Sequence, residues 1–248
     1  MGGAFWPPML DLGLSITTIV SAFAIMTAAA AIQAMVGMGI ALIAVPLLAL
    51  VEPGFVPGPV LMSSLILTLA MAYRGRRELE SRDLGWSVAG LTIGTAIGAA
   101  LLSYLHGPSL PRIFGALILV GVAITASGVR FTPSPRAFVL AGTASGVMGT
   151  MVGTHGPPIA LVLQNARPST IRAMLGAYFT VAGAGAVAAL AMVGLFGQRE
   201  LFMSAILLPG VGAGFLAAQI FGHFVAGRLM RVAILTVSAA GGVMLLLR

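Results

Sequence analysis

The stretch MVGTHGPPIALVLQN, residues 151–165, decides how this chain folds. It lies in a long apolar segment, but two glycines, a histidine and two consecutive prolines interrupt it where a continuous helix would be expected. Proline lacks an amide hydrogen and suits the first turn of a helix, so Pro157 and Pro158 predict that a new helix starts there. The stretch is therefore predicted to hold a backbone break between two helices.

The composition places this break inside a membrane. Hydrophobic residues make up 59% of the 248 residues and charged residues 8%, a balance far from that of soluble proteins. All thirteen basic residues are arginines, and they lie in short gaps between apolar runs without interleaved aromatics, which argues against nucleic-acid binding. The chain has no cysteine, so it has neither disulfides nor a thiolate metal site. We expect an all-α polytopic membrane protein without a cofactor.

A spanning helix needs about 20 apolar residues, and by this measure the chain divides into eight apolar blocks. They are 12–50, 57–73, 84–105, 111–129, 137–165, 171–195, 201–222 and 228–247. Blocks one and five are overlong, and both contain Met-Val-Gly followed by further glycines, in QAMVGMGIALIAVP (33–46) and GTMVGTHGPPIALV (149–162). A broken or re-entrant helix is predicted in each of these two blocks.

The two overlong blocks belong to a longer repeat. The loop RGRRELESRDL after block two corresponds to FGQREL after block six, and Arg112 near the start of block four corresponds to Arg231 in block eight. The glycines of block three also match small residues of block seven, namely Gly90 with Gly210, Gly94 with Gly214 and Gly98 with Ala218. Landmarks in the same order predict two four-block units, 1–130 and 131–248, that form one transmembrane domain.

The arginines indicate how the two units are oriented. If every block crosses once, eight arginines share the face of the Arg74 to Arg82 loop and five lie opposite. If blocks one and five go in and return, the counts are ten and three, the stronger bias that the positive-inside rule favours. The units are then inverted relative to one another, as in many secondary transporters.

Two breaks related by a repeat predict a binding site. Unpaired backbone at membrane depth must be buried in protein or face a water-filled cavity, and helix N-termini with glycine nearby suit an anion. The predicted site residues are Gln33, Gly37, Gly39, Thr154, His155, Gly156 and Arg172.

The chain resembles the TauE/SafE sulfite exporters, also called the sulfonate-permease or TSUP family. The resemblance rests on VGMGIALIAVPLLAL (36–50), VMGTMVGTHGPPIALVLQ (147–164), STIRAMLGAYF (169–179) and YRGRRELESRDL (73–84). It implies a carrier that moves sulfite, small organosulfonates or related anions across a bacterial inner membrane. Met38, Ile40 and Ala41 depart from the more glycine-rich run of the family.

Several residues keep a second interpretation. His155 either binds the anion, carries a proton or caps a carbonyl, and Arg172 either reaches the anion or anchors a helix at the interface. Gln164 and Asn165 are expected to join helices, and the glycines of block three to allow close packing. For the whole chain, an anion channel is the alternative to a carrier, and an intramembrane hydrolase built on Ser145 with a histidine is the less favoured one.

Overall fold

The computed structural model describes residues 12–37, 40–105, 109–129, 131–221 and 227–248, and within these ranges the chain is helical without strands. The helices of this part of the chain are α1 (Ile16–Val36), α2 (Ile40–Val51), α3 (Gly58–Gly75), α4 (Ser81–Tyr104), α5 (Leu110–Ala126), α6 (Pro135–Val152), α7 (Gly156–Leu163), α8 (Pro168–Met192), α9 (Gln198–Phe221) and α10 (Gly227–Leu246). All eight predicted blocks are helical. Blocks one and five each divide into two helices, at the predicted breaks.

The outer surface of the bundle is apolar, as a membrane protein requires. Four helices are long and apolar enough to span a bilayer, namely α1, α4, α8 and α9. On α4 the side chains of Ile93, Ile97 and Leu101 are 44–53% exposed and recur every fourth residue, whereas Gly90 and Gly94 on the other face are buried. One face of this helix therefore suits lipid and the other suits protein, which confirms the predicted all-α membrane fold.

The second helix of each broken block returns toward the side from which the first one started. The side chain of Gln164, just after α7, donates through Nε2 to the backbone oxygen of Val129, 2.7 Å away and close to the start of α6. After α2, a Cβ on Gly54 would lie 3.1 Å from Met203 in the first turns of α9, a helix that runs parallel to α1. Each broken block thus forms a helical hairpin.

Glycines on α4 pack against backbone carbonyls of α6, and glycines on α9 pack against those of α1 in the same register. The contacts join Gly90 to Val139, Gly94 to Thr143, Gly210 to Phe23 and Gly214 to Thr27. In each pair of helices the residue numbers of the contacting residues increase in the same direction. Helix α4 is therefore parallel to α6, and α9 is parallel to α1. The glycines that the sequence matched between the two units therefore make matching contacts.

Two pairs of helices that occupy the same place in the predicted units, α3 with α8 and α5 with α10, run antiparallel to one another. In the contact of α3 with α8, Gly75 lies against Ala173 and Gly176 lies against Ala72. In the contact of α5 with α10, Gly115 lies against Gly242, and Arg231 near the start of α10 donates to the carbonyl of Thr125 at the end of α5, 2.7 Å away. These directions are those that inverted units require. The unit boundary at residue 130 stays a prediction.

Candidate functional site

Both hairpins turn through the same backbone conformation. Helix α1 ends at Gly37 and helix α6 at Gly153, with φ angles of 89° and 88°, the left-handed region that glycine adopts without strain. The amide of each glycine donates to the carbonyl four residues earlier at 2.7 Å, on Gln33 and Gly149 respectively. The Met-Val-Gly motif thus marks a helix end in both halves of the chain.

The side chain of Gln33 closes the first hairpin. Its Oε1 accepts a hydrogen bond from the amide of Ile40, the first residue of α2, at 3.1 Å, and the residue is 1% exposed. Because the amide oxygen is engaged by an N–H donor, Nε2 remains as the group with hydrogens to donate. Gln33 therefore caps α2 with one atom and presents a donor with the other.

A small cavity lies between the two breaks. Its volume, counted as the space open to the centre of a water-sized sphere, is about 30 Å³. One water molecule needs about 10–15 Å³ when volume is counted in this way, so the cavity has room for about two. Four of the predicted site residues line this cavity, namely Gln33, Thr154, His155 and Gly156. The cavity therefore has room for an ion of a few heavy atoms and is lined by both halves of the chain.

Three polar atoms at this cavity are buried without a hydrogen-bond partner. They are Gln33 Nε2, Thr154 Oγ1 and His155 Nε2, on residues that are 1%, 1% and 4% exposed. A buried donor without a partner costs about 1–3 kcal/mol, so such groups are rare in proteins unless a ligand or water meets them. The three residues that carry these atoms line one cavity, which is the strongest sign of a binding site in the described part of the chain.

The ring of His155 is held by α6. It packs directly on Gly149, where any Cβ would overlap the imidazole, and the hydroxyl of Ser145 donates to the backbone oxygen of His155 at 2.5 Å. Its side chain makes no capping hydrogen bond at the start of α7, and the role of His155 as anion ligand, proton carrier or carbonyl cap stays a prediction. Since Ser145 bonds to the backbone and not to the ring, the two do not form a nucleophile and base pair.

The helix starts offer fewer backbone donors than the sequence suggested. Pro157 and Pro158 occupy the first turn of α7 and have no amide hydrogens, which leaves the amides of Gly156 and Ile159 in that turn. At the start of α2 the amide of Ile40 is already bonded to Gln33. Side chains therefore supply more of the donors at this site than free helix amides do.

Two other predicted site residues, Gly37 and Arg172, stand apart from the cavity. Gly37 is buried behind it, against Arg172, whose Cγ would lie 2.9 Å from a Cβ on this glycine. Arg172 is exposed and lines a separate groove. Gly39 lies outside the described residues. The structure thus brings together four of the seven predicted residues and places Arg172 elsewhere, with Gly37 between it and the cavity.

Helices α3 and α8 also contribute to the cavity, which the sequence did not predict. Ser64 and Thr68 on α3 and Phe179 and Gly183 on α8 line it. The two hydroxyls donate to carbonyls of their own helix at 2.8 and 3.1 Å, which leaves their oxygens able to accept. Their spacing of four residues in an otherwise apolar helix was a usable signal, because it puts both on one face. Gln164, expected to join helices, bonds the end of α7 to the carbonyl of Val129 after α5.

The comparisons with known proteins bear on this site. No group of histidines and carboxylates that could hold a metal ion occurs within the described ranges. No curated protein and no solved structure matches the chain. The family described as "Sulfite exporter TauE/SafE" matches residues 22–245, a range that contains the ends of both broken helices, Gly37 and Gly153, and every residue of the cavity. The chain therefore belongs to the TauE/SafE sulfite exporter family.

Proposed function

We propose that this protein is a secondary carrier that exports a small sulfur oxyanion, with sulfite as the first candidate, and binds it in the cavity between the two hairpins. One observation carries the proposal. Gln33, Thr154 and His155, which come from both halves of the chain, line one small cavity, and each carries a buried polar atom without a hydrogen-bond partner. Membership of a transporter family supports an anion as the ligand.

The chemistry of these groups suits an oxyanion. An amide NH2, a hydroxyl and a protonated ring nitrogen all donate to oxygen, and hydrogen bonds to a charged acceptor contribute about 1.5–3 kcal/mol each. The start of α7 adds the positive end of its helix dipole on the same side. An anion bound there would satisfy three buried groups at once, which offsets the loss of its hydration.

The helix directions suit alternating access. Two hairpins whose units run in opposite directions can exchange conformations, so that the cavity opens to one face and then to the other. We place the arginine-rich face, which carries the loop from Arg76 to Glu80, in the cytoplasm of a bacterial inner membrane. His155 at the cavity is the candidate carrier of a coupled proton.

The test is transport by purified protein in liposomes, with sulfite, thiosulfate, sulfoacetate and chloride measured side by side. A carrier should give a sulfite flux that saturates with concentration, and chloride should move much more slowly. A sulfite flux that rises linearly without saturation would favour the anion channel, and movement of chloride alone would refute the assignment of a sulfur anion. The hydrolase alternative has no support at Ser145, whose hydroxyl is bonded to the carbonyl of His155.

A further inference from the structure

A second concave region opens beside the central cavity, and we call it the arginine groove. It is lined by Ala34 of α1, Met71 and Arg74 of α3, Arg172 of α8 and Phe215 of α9, together with Gly75, Glu78, Ser169 and Ala173. The centre of a water-sized sphere can occupy about 310 Å³ of it, against about 30 Å³ in the central cavity. The groove can therefore hold an anion with part of its hydration shell, which the cavity cannot.

The groove and the cavity share three walls. Helix α1 contributes Gln33 to the cavity and the next residue, Ala34, to the groove. Helix α3 contributes Thr68 to the cavity and Arg74 to the groove, which at about 1.5 Å per residue lies roughly 9 Å farther along. Helix α8 continues in the same way from Phe179 to Arg172. The two spaces thus follow one another along the same helices.

The first hairpin turn separates the two spaces. Gly37 ends α1 in the left-handed conformation, and on the groove side it lies against the Cα and Cγ of Arg172. The same turn leads into Ile40, which lines the cavity and is capped by Gln33. Gly37 thus lies between Arg172 at the groove and the first turn of α2 at the cavity.

The charges in the groove favour an anion. Arg74 and Arg172 are both exposed at its surface, with Glu78 as the single acidic residue of its lining. The guanidinium of Arg74 lies 4.9 Å from the ring centroid of Phe215, a cation–π contact that holds its stem across the groove. Guanidinium groups present a fork of N–H donors that matches oxyanions. The groove opens on the arginine-rich face, which raises the local concentration of anions.

We propose that the arginine groove is an outer binding site, in which Arg74 and Arg172 hold the hydrated oxyanion before it loses water and passes the Gly37 turn into the cavity. The inference rests on the proposed function of the cavity. It assigns loading from one face to these two arginines and translocation to the cavity residues.

The experiment uses sulfite transport by the full-length chain in membrane vesicles of both orientations. The double variant Arg74→Gln with Arg172→Gln should raise the KM for sulfite entering from the arginine-rich face about tenfold, because each lost contact with an exposed charge weakens binding several-fold. The maximal rate and the KM from the opposite face should change less than twofold. Arg77→Gln is the matched control, since it removes a charge from the same face but lies outside the groove.

Added salt provides a second measurement. The wild-type KM from the arginine-rich face should rise with ionic strength, and that of the double variant should rise less, because its electrostatic contribution is already lost. Replacing both arginines by lysine should restore the dependence on ionic strength but only part of the affinity, because lysine keeps the charge and lacks the guanidinium fork. An equal KM for the double variant and Arg77→Gln would refute the outer site, as would a collapse of the maximal rate with unchanged KM. Failure of the wild type to move sulfite would instead refute the function proposed for the cavity.

Discussion

Thr154→Val separates a ligand-binding role from a structural one, because the two roles predict opposite changes in stability. Thr154 Oγ1 is buried and has no partner, so valine removes an unsatisfied polar atom while it keeps the shape of the side chain. Leaving such a group buried costs about 1–3 kcal/mol, so the free energy of unfolding of the anion-free variant should rise by about 1 kcal/mol or more. The affinity for sulfite should fall at the same time.

The size of that fall follows from the lost hydrogen bond. A hydrogen bond to a charged acceptor is worth about 1.5–3 kcal/mol, which corresponds to a Kd about 10- to 150-fold higher. Calorimetric titration of sulfite in detergent measures the affinity, and thermal unfolding without the anion measures the stability. Unchanged affinity, or a loss of stability with the fold intact, would refute the assignment of Thr154 as a donor to the ligand.

Thr150→Val is the matched control. Thr150 is on the neighbouring turn of α6, is 0% exposed and also has an unpartnered hydroxyl, but it does not line the cavity. The substitution should raise stability by a similar amount, about 1 kcal/mol, for the same reason. Its Kd for sulfite should stay within twofold of the wild type. An equal loss of affinity in both variants would show that the effect is indirect.

Three further outcomes are expected. Gly94→Val should prevent folding, because the added Cβ would overlap a backbone carbonyl of α6. Gly85→Val should fold normally, because a Cβ on Gly85 would have no neighbouring atom within 4 Å, and size-exclusion profiles of the two variants measure the difference. Gln33→Leu should lower sulfite affinity and leave the free energy of unfolding nearly unchanged, because the lost cap, about 1 kcal/mol, is offset by the removal of the unpartnered Nε2; unchanged affinity by calorimetry would contradict its role as a donor to the anion. A tag after Arg248 and a label in residues 131–134 should lie on opposite faces in accessibility labelling, and labelling from one face would refute inverted units.

The fold could be predicted further than the site could. Apolar blocks with few charges leave little choice but membrane helices, and Pro157 and Pro158 fix where one of them restarts. The hairpins are also encoded locally, because Gly37 and Gly153 end their helices in a conformation that other residues rarely adopt. The matching contacts of the glycines on α4 and α9 followed from the repeat.

The exact lining of the cavity depended on packing between distant helices, which a local pattern such as the spacing of two hydroxyls shows only in part. In the sequence, Ser64 and Thr68 are ordinary polar residues of an apolar helix. Only the packing of α3 beside both hairpins shows that they line the cavity. Arg172 lies within the stretch STIRAMLGAYF (169–179), which carries the family resemblance. Its position near the start of α8 nevertheless puts it two turns from Phe179, in the groove. Gly37 adopts the left-handed backbone conformation that the turn after α1 requires, so glycine is explained at this position by the turn.

The pairing of α1 with α9 has a consequence for how the protein is made. Phe23 on α1 packs against Gly210, roughly 190 residues later, so α1 leaves the ribosome long before its partner exists. At about 5–20 residues per second, it waits roughly 10–40 s in the bilayer with its packing face toward lipid. The first unit also lacks the partner of α4 until α6 is synthesised. The two units are therefore halves of one assembly, and a truncated first half would retain two helices whose close-packing surfaces have nothing to meet.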